Sequence, residues 1–226
     1  LFGTKLADET FLINTGGGLA GGDDFTFDIS AGPASTLSVT TQAAERVYRS
    51  TGPAATVKVR LAAEAGSTLR WLPQESILFD GSSLSRHLEA EIANDATLLA
   101  VESVILGRTA MGEKVAQASF HDRWRIRKNG ELIFADDMAI DGPLPATQAT
   151  LGEARALATV VMISDRAEAY IGTIRDLIGA SGSASAWSGK LVARFLVRDG
   201  FDLRKALIPV LSLLSAPATL PKVWSL

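Results

Sequence analysis

The chain of 226 residues contains no cysteine and only two histidines, His87 and His121. Disulfides and thiolate metal sites are excluded, and a histidine-rich catalytic zinc site is hard to assemble. The lack of cysteine fits a cytoplasmic protein. A basic surplus is missing too: 22 Lys and Arg stand against 25 Asp and Glu, for a net charge of −3. No basic field therefore exists to hold nucleic acid or an anionic membrane. Aromatic residues make up 7% of the chain, too few for the ring-rich groove expected around a pair of glycosidase acids. No run of 18 apolar residues occurs, so no membrane-spanning helix is predicted. The chain starts at Leu1 instead of Met, and Leu6 to Asn14 reads as the entry to a strand. A preceding N-terminal piece is therefore expected to be missing.

Glycine is what the chain has in concentration. Asn14 to Asp23 reads NTGGGLAGGD, and Gly16, Gly18 and Gly21 satisfy GxGxxG. A dinucleotide site needs that turn to open a helix whose first N–H groups hold the pyrophosphate. Here Phe25, Phe27 and Ile29 follow at strand spacing, and no GK[ST] follows either. The glycines are read instead as a tight turn with close backbone approach, with the Asp23 carboxylate displayed on it.

Strand signals fill the first two thirds. Three segments, AGPASTLSVTTQ, AGSTLRWLPQ and NDATLLAVES, each run from a turn through Thr-Leu into an alternating strand. Their Thr-Leu pairs begin at Thr36, Thr68 and Thr97. A unit recurring about every thirty residues points to stacked β layers, with an ordinary β-sandwich as the alternative. Val57, Val59 and Leu61, and then Leu84, Leu88 and Ile92, add further runs. Trp124 and Ile126 alternate with arginines up to a Lys128-Asn-Gly130 hairpin turn, and Leu157 to Ile163 reads as a buried strand. Ala180 to Ser185 reads as a loop, and Lys190 to Val197 is open between strand and helix. Helices come late: one capped by Asp165 with Tyr170, Ile174, Leu177 and Ile178 on one face, and one capped by Asp202 that Pro209 kinks or ends. The predicted fold is a single mainly β domain over residues 1–226. Residues 1–163 form stacked strand layers, and residues 164–226 form a small helical C-terminal part.

Nothing marks a nucleophile: there is no GxSxG, and both histidines read as surface strand residues. Carboxylates inside patterned strands are the richer feature, namely Glu45, Glu75, Glu102, Asp122 and Asp136. An ionised acid buried alone costs several kcal/mol, so each must be paired, hydrated or coordinating. Glu45 beside Arg46 and Asp122 beside Arg123 read as pairs, whereas Glu75 and Glu102 have no adjacent base. Oxygen donors hold a first-row ion such as nickel weakly, which suits transfer over storage.

These segments also carry a resemblance. NTGGGLAGGD, TQAAERVYRS (41–50), WLPQESILF (71–79), ESVILGRTAMGE (102–113) and HDRWRIRKNGELIFAD (121–136) together resemble the urease accessory protein UreD family, called UreH in some organisms. GEARALATVV (152–161), ASAWSGKLVARFL (184–196) and LRKALIPVL (203–211) fit the same family, so the likeness runs from about Thr10 to the end. It implies a non-catalytic maturation chaperone built as a β-helix-like stack with a pair of helices. Its partners would be UreF and, through UreF, the GTPase UreG. The complex would dock on urease apoprotein to deliver nickel, with a dimer of that complex among the expected states. Nickel would be in transit on carboxylates, and no nucleotide would bind this chain itself. By motif position, Asp23, Glu75, Glu102 and Asp136 are the candidates for lining the ion path. Leu203, Leu207, Leu211 and Trp224 are candidates for partner contact, with a place in the core as their alternative. The family carries further residues before the NTGGG segment, and their absence would leave an unpaired sheet edge. Two rival readings remain open: a carboxylate-based hydrolase, and a structural scaffold that handles no metal.

Overall fold

Thr36, Thr68 and Thr97 are register partners in three adjacent parallel strands, so the sequence repeat is the rung spacing of a solenoid. The computed structural model describes residues 2–6, 9–108, 112–144, 147 and 149–224. Thr109 to Met111 of the ESVILGRTAMGE segment fall outside them.

Each coil runs along one wall, turns a corner, and returns along the opposite wall. The first wall stacks β2 (Glu9–Ile13), β4 (Thr36–Thr41), β7 (Thr68–Trp71) and β10 (Thr97–Leu106) in parallel, with β1 (Phe2–Leu6) antiparallel outside β2. Two short strands, β5 (Glu45–Val47) and β8 (Ser76–Leu78), form a corner wall that also joins β10. The facing sheet has the order β12-β11-β9-β6-β3, from β3 (Asp24–Ala31), β6 (Ala55–Ala63), β9 (Ser83–Ile92), β11 (Gln117–Lys128) and β12 (Glu131–Pro143). The stacked layers are thus a solenoid of coils and not an ordinary sandwich.

The glycine-rich segment is the first rung of the corner wall. Leu19 bridges Val47 in parallel, and Gly18 and Gly21 lie against the next coil. A Cβ on Gly21 would stand 2.1 Å from Ser50 Oγ, so only a hydrogen fits there. Close approach explains Gly18 and Gly21.

After the coils the chain turns antiparallel. Hairpin β11–β12 closes at Asn129 and Gly130, both at positive φ, as the Asn-Gly signal predicts. β13 (Ala156–Ile163) then pairs with β10, and β15 (Lys190–Val197) and β14 (Gly182–Trp187) extend that sheet. The small-residue segment read as a loop is therefore a strand from Gly182 onward, because its alternating Ala184 and Ala186 pack toward the helices. Helices α1 (Ile171–Ile178) and α2 (Gly200–Ser215) cover the outer face of this extension.

Both predicted caps move. Asp165 caps nothing and is an exposed partner of Lys128 at 3.7 Å; a short 3-10 turn precedes α1 instead. The cap of α2 is Asp199, whose carboxylate accepts the Asp202 N–H at 2.9 Å. Pro209 neither begins nor ends α2, which runs on to Ser215.

β10 explains where the core sits. Its residues are buried on both faces, as expected of a central strand covered on two sides. Leu98, Ala100 and Val104 point to the facing sheet, and Leu99 and Val101 point to the helices. Glu102 shares the inner face with Ala100.

Candidate functional site

An ion cluster occupies the space between the sheets where β7 and β8 part company along β10. Arg86 and Asp122 are register partners on β9 and β11, so their side chains leave the same face side by side. Arg86 Nε and Nη2 donate to the two Asp122 oxygens at 3.0 and 2.8 Å. Its Nη1 crosses the core to Glu102 Oε2 at 2.7 Å. Trp71 Nε1 donates to the other Glu102 oxygen at 2.8 Å, and Trp124 Nε1 donates to Asp122 Oδ2 at 3.2 Å. Three of the four carboxylate oxygens therefore accept a hydrogen bond, the fourth, Glu102 Oε2, is ion-paired, and one guanidinium serves two acids.

The electrostatics follow from that ratio. Burial opposes the charge on Arg86, but Asp122 and Glu102 outweigh it and hold the guanidinium firmly protonated. Burial pushes the Glu102 carboxyl above its usual range, with Arg86 only partly opposing and Asp122 adding repulsion. Burial likewise raises Glu45, against the pull of the Asn14 amide, whose Nδ2 lies 3.0 and 3.1 Å from its two oxygens.

The four acids assigned to an ion path lie apart. Glu102 faces the inside of the sheet, whereas Glu75 meets Arg204 of α2 at 3.1 Å on the outside. Arg204 also donates to Gln74 Oε1 and to the Val223 carbonyl. Asp136 of β12 pairs with Arg194 of β15 at 2.7 Å, linking the two sheets. Asp23 lies in the glycine-rich turn and accepts the Ala20 N–H at 2.8 Å. Glu75, Glu102 and Asp136 thus each face an arginine brought in from another element. Among the described residues, no three of His, Asp and Glu gather closely enough to hold a metal ion.

Two neighbour pairings expected from sequence are corrected: Asp122 pairs with Arg86 and not Arg123, and Glu45 takes its side-chain hydrogen bonds from Asn14, with Arg46 adding a backbone N–H and its charge. The reason is the strand period, which sends adjacent side chains to opposite faces. That same rule was the one signal for Arg86, an arginine at an inward position between Leu84 and Leu88.

The helix residues assigned to partner contact are also corrected. Leu203, Leu207, Leu211 and Trp224 are each 0% exposed and belong to the core between α2 and the sheet. Trp224 donates through Nε1 to the Leu72 carbonyl at 3.0 Å, and Arg204 stacks 5.2 Å from its ring centre. The apolar side chains that α1, α2 and β15 leave to solvent are Leu177, Leu196 and Phe201, the last 77% exposed. No helix among the described residues is long and apolar enough to cross a membrane.

Comparison with known proteins places this geometry. A family model described as UreD urease accessory protein matches residues 5–225. The urease accessory protein UreD of Agrobacterium fabrum is 48% identical over 221 residues, covering 96% of this chain and 78% of that protein. That of Rhizobium etli is 48% identical over 222 residues, covering 96% and 81%. That of Mesorhizobium japonicum is 44% identical over 230 residues, covering 98% and 82%. All three are named as accessory proteins and not as enzymes. With a matched model spanning nearly every residue and relatives alike along most of their own length, the chain belongs to the UreD family of urease accessory proteins.

Proposed function

We propose that this urease accessory protein works as a platform in urease maturation, seating UreF-like and UreG-like partners on urease apoprotein so that nickel reaches the active site. Family membership carries this reading. The stacked coils support it, because neighbouring rungs hold each other in register and give a stiff body for docking. GTP hydrolysis belongs to the partner. The direct test is to express urease without this chain and measure nickel per urease by elemental analysis. Normal amounts of urease protein with depleted nickel and lost activity are expected, and full nickel occupancy would overturn the reading.

Whether nickel passes Asp23, Glu75, Glu102 and Asp136 is a second, finer proposal. The arginine facing each of the last three favours the alternative, in which this chain carries no metal along them. Glu75→Gln separates the two, since the amide oxygen can still accept from Arg204 while the charge is gone. A conduit requires lower nickel occupancy in urease with the partner complex intact. Unchanged occupancy favours the bare platform.

A further inference from the structure

The chain's only two imidazoles stand together. His87 on β9 and His121 on β11 lie on the solvent face of the five-stranded sheet, with ring centroids 6.0 Å apart. They are diagonal neighbours: His121 is opposite Ser85, and His87 is opposite Arg123. Each ring is anchored through Nε2. His121 Nε2 lies 3.2 Å from Asp137 Oδ1, and His87 Nε2 lies 2.9 Å from Ser85 Oγ. An ionised carboxylate only accepts, so Asp137 draws the proton to Nε2 of a neutral His121 and leaves the lone pair on Nδ1. The Ser85 hydroxyl can accept in the same way from His87. Rings whose outer N–H is held by a carboxylate or hydroxyl are the form in which histidine binds metal ions.

We propose that His87 and His121 form a two-imidazole site for a first-row divalent cation, with Asp137 and Ser85 orienting the rings and water completing the shell. A metal–nitrogen distance of about 2 Å puts two rings sharing one ion roughly 5–6 Å apart at their centres, against 6.0 Å here, so sharing an ion takes ring rotation and not strand movement. His121 is 46% exposed at its side chain and has room for it. The surrounding charges set the strength. Lys58 and Arg125 are matched by Asp24 and Asp137, and Glu89 adds a negative charge. Arg123 opposes a cation, so the site is a weak, exchanging one. This inference does not rest on the nickel route through the acids, because it concerns other residues on the opposite face of the facing sheet.

The test is titration of the full protein with NiCl2 and, separately, ZnCl2, followed by calorimetry and by NMR of the two histidine C2–H signals. Binding of one ion per chain is expected, with both signals broadened by paramagnetic Ni2+. His87→Ala/His121→Ala should abolish it, and Asp137→Asn should weaken it about tenfold or more. Affinity should fall as pH drops through the imidazole range, because protons compete for the ligating nitrogens. Unbroadened histidine signals in the wild type would overturn the site without any variant having to fold. So would unchanged stoichiometry and affinity in the double variant.

Discussion

Replacing Arg86 with Met removes the one cation between two buried acids and keeps most of the side chain's volume. The variant loses ion pairs at 2.7 and 2.8 Å and a third bond at 3.0 Å. Glu102 and Asp122 then keep only the indole N–H groups of Trp71 and Trp124. Breaking a buried pair by removing one partner costs about 3–5 kcal/mol, against a total stability of roughly 5–15 kcal/mol for a domain. The loss should also depend on pH. Burial already raises the folded pKa of Glu102 in the wild type above its ordinary range. A carboxyl raised in the folded state contributes most stability below its unfolded pKa and loses it as pH rises through the folded value. Without Arg86 that folded value climbs further, so the deficit of Arg86→Met should narrow as pH falls toward the carboxyl range. Urea unfolding followed by tryptophan fluorescence measures both effects, since Trp71 and Trp124 border the cluster. The variant Arg86→Met/Glu102→Gln/Asp122→Asn keeps acceptors for both indoles with no charge present, and should recover most of the loss. A deficit under about 1 kcal/mol, flat with pH, would refute the claim that one guanidinium serves two buried acids.

Gly21→Ala forces a methyl group against Ser50 Oγ at 2.1 Å and the Pro53 carbonyl at 2.9 Å. It should cost about 1–3 kcal/mol, read as a lowered midpoint in thermal melting, and an unchanged midpoint would contradict the close-approach account of the glycine turn. Trp224→Ala removes a fully buried ring and its bond to Leu72 and should cost about 3–5 kcal/mol. Loss of partner recovery with full stability would instead return Trp224 to an interface.

The coil register was legible because a solenoid repeats its local sequence: Thr36, Thr68 and Thr97 occupy one rung, and the eye needs only the spacing. The hairpin at Asn129 and Gly130 was legible because two successive positive φ values restrict the residues that fit. The cluster was not. Arg86 meets Asp122 and Glu102 from different strands, and no local pattern records which rungs face across a core. Nearness in sequence misled twice, at Glu45 and Asp122, since strand neighbours diverge. The cap of α2 was missed by three residues because Asp199 and Asp202 both suit the first turn, and the extended backbone of Asp199 decides between them. The histidine pair escaped for the same reason as the cluster, being a product of parallel pairing between β9 and β11.

The acids differ in what an ion would have to displace. At Glu102 both partners in the pair are nearly sealed, with side-chain exposures of 4% and 5%, and parting them costs several kcal/mol. Every 1.4 kcal/mol is a factor of ten in population, so about 4 kcal/mol leaves the carboxylate free of its arginine roughly one time in a thousand. Glu75 is different, because Arg204 is 23% exposed and shares its donors among Gln74, Glu75 and the Val223 carbonyl. That guanidinium has solvent to turn into, so parting it from Glu75 meets less resistance, although the Glu75 side chain itself is only 6% exposed. A route for nickel through this chain would therefore meet its main resistance at Glu102. The cluster there reads more naturally as the pin that fixes one wall of the solenoid on the other, with Glu75 as the acid whose arginine reaches solvent.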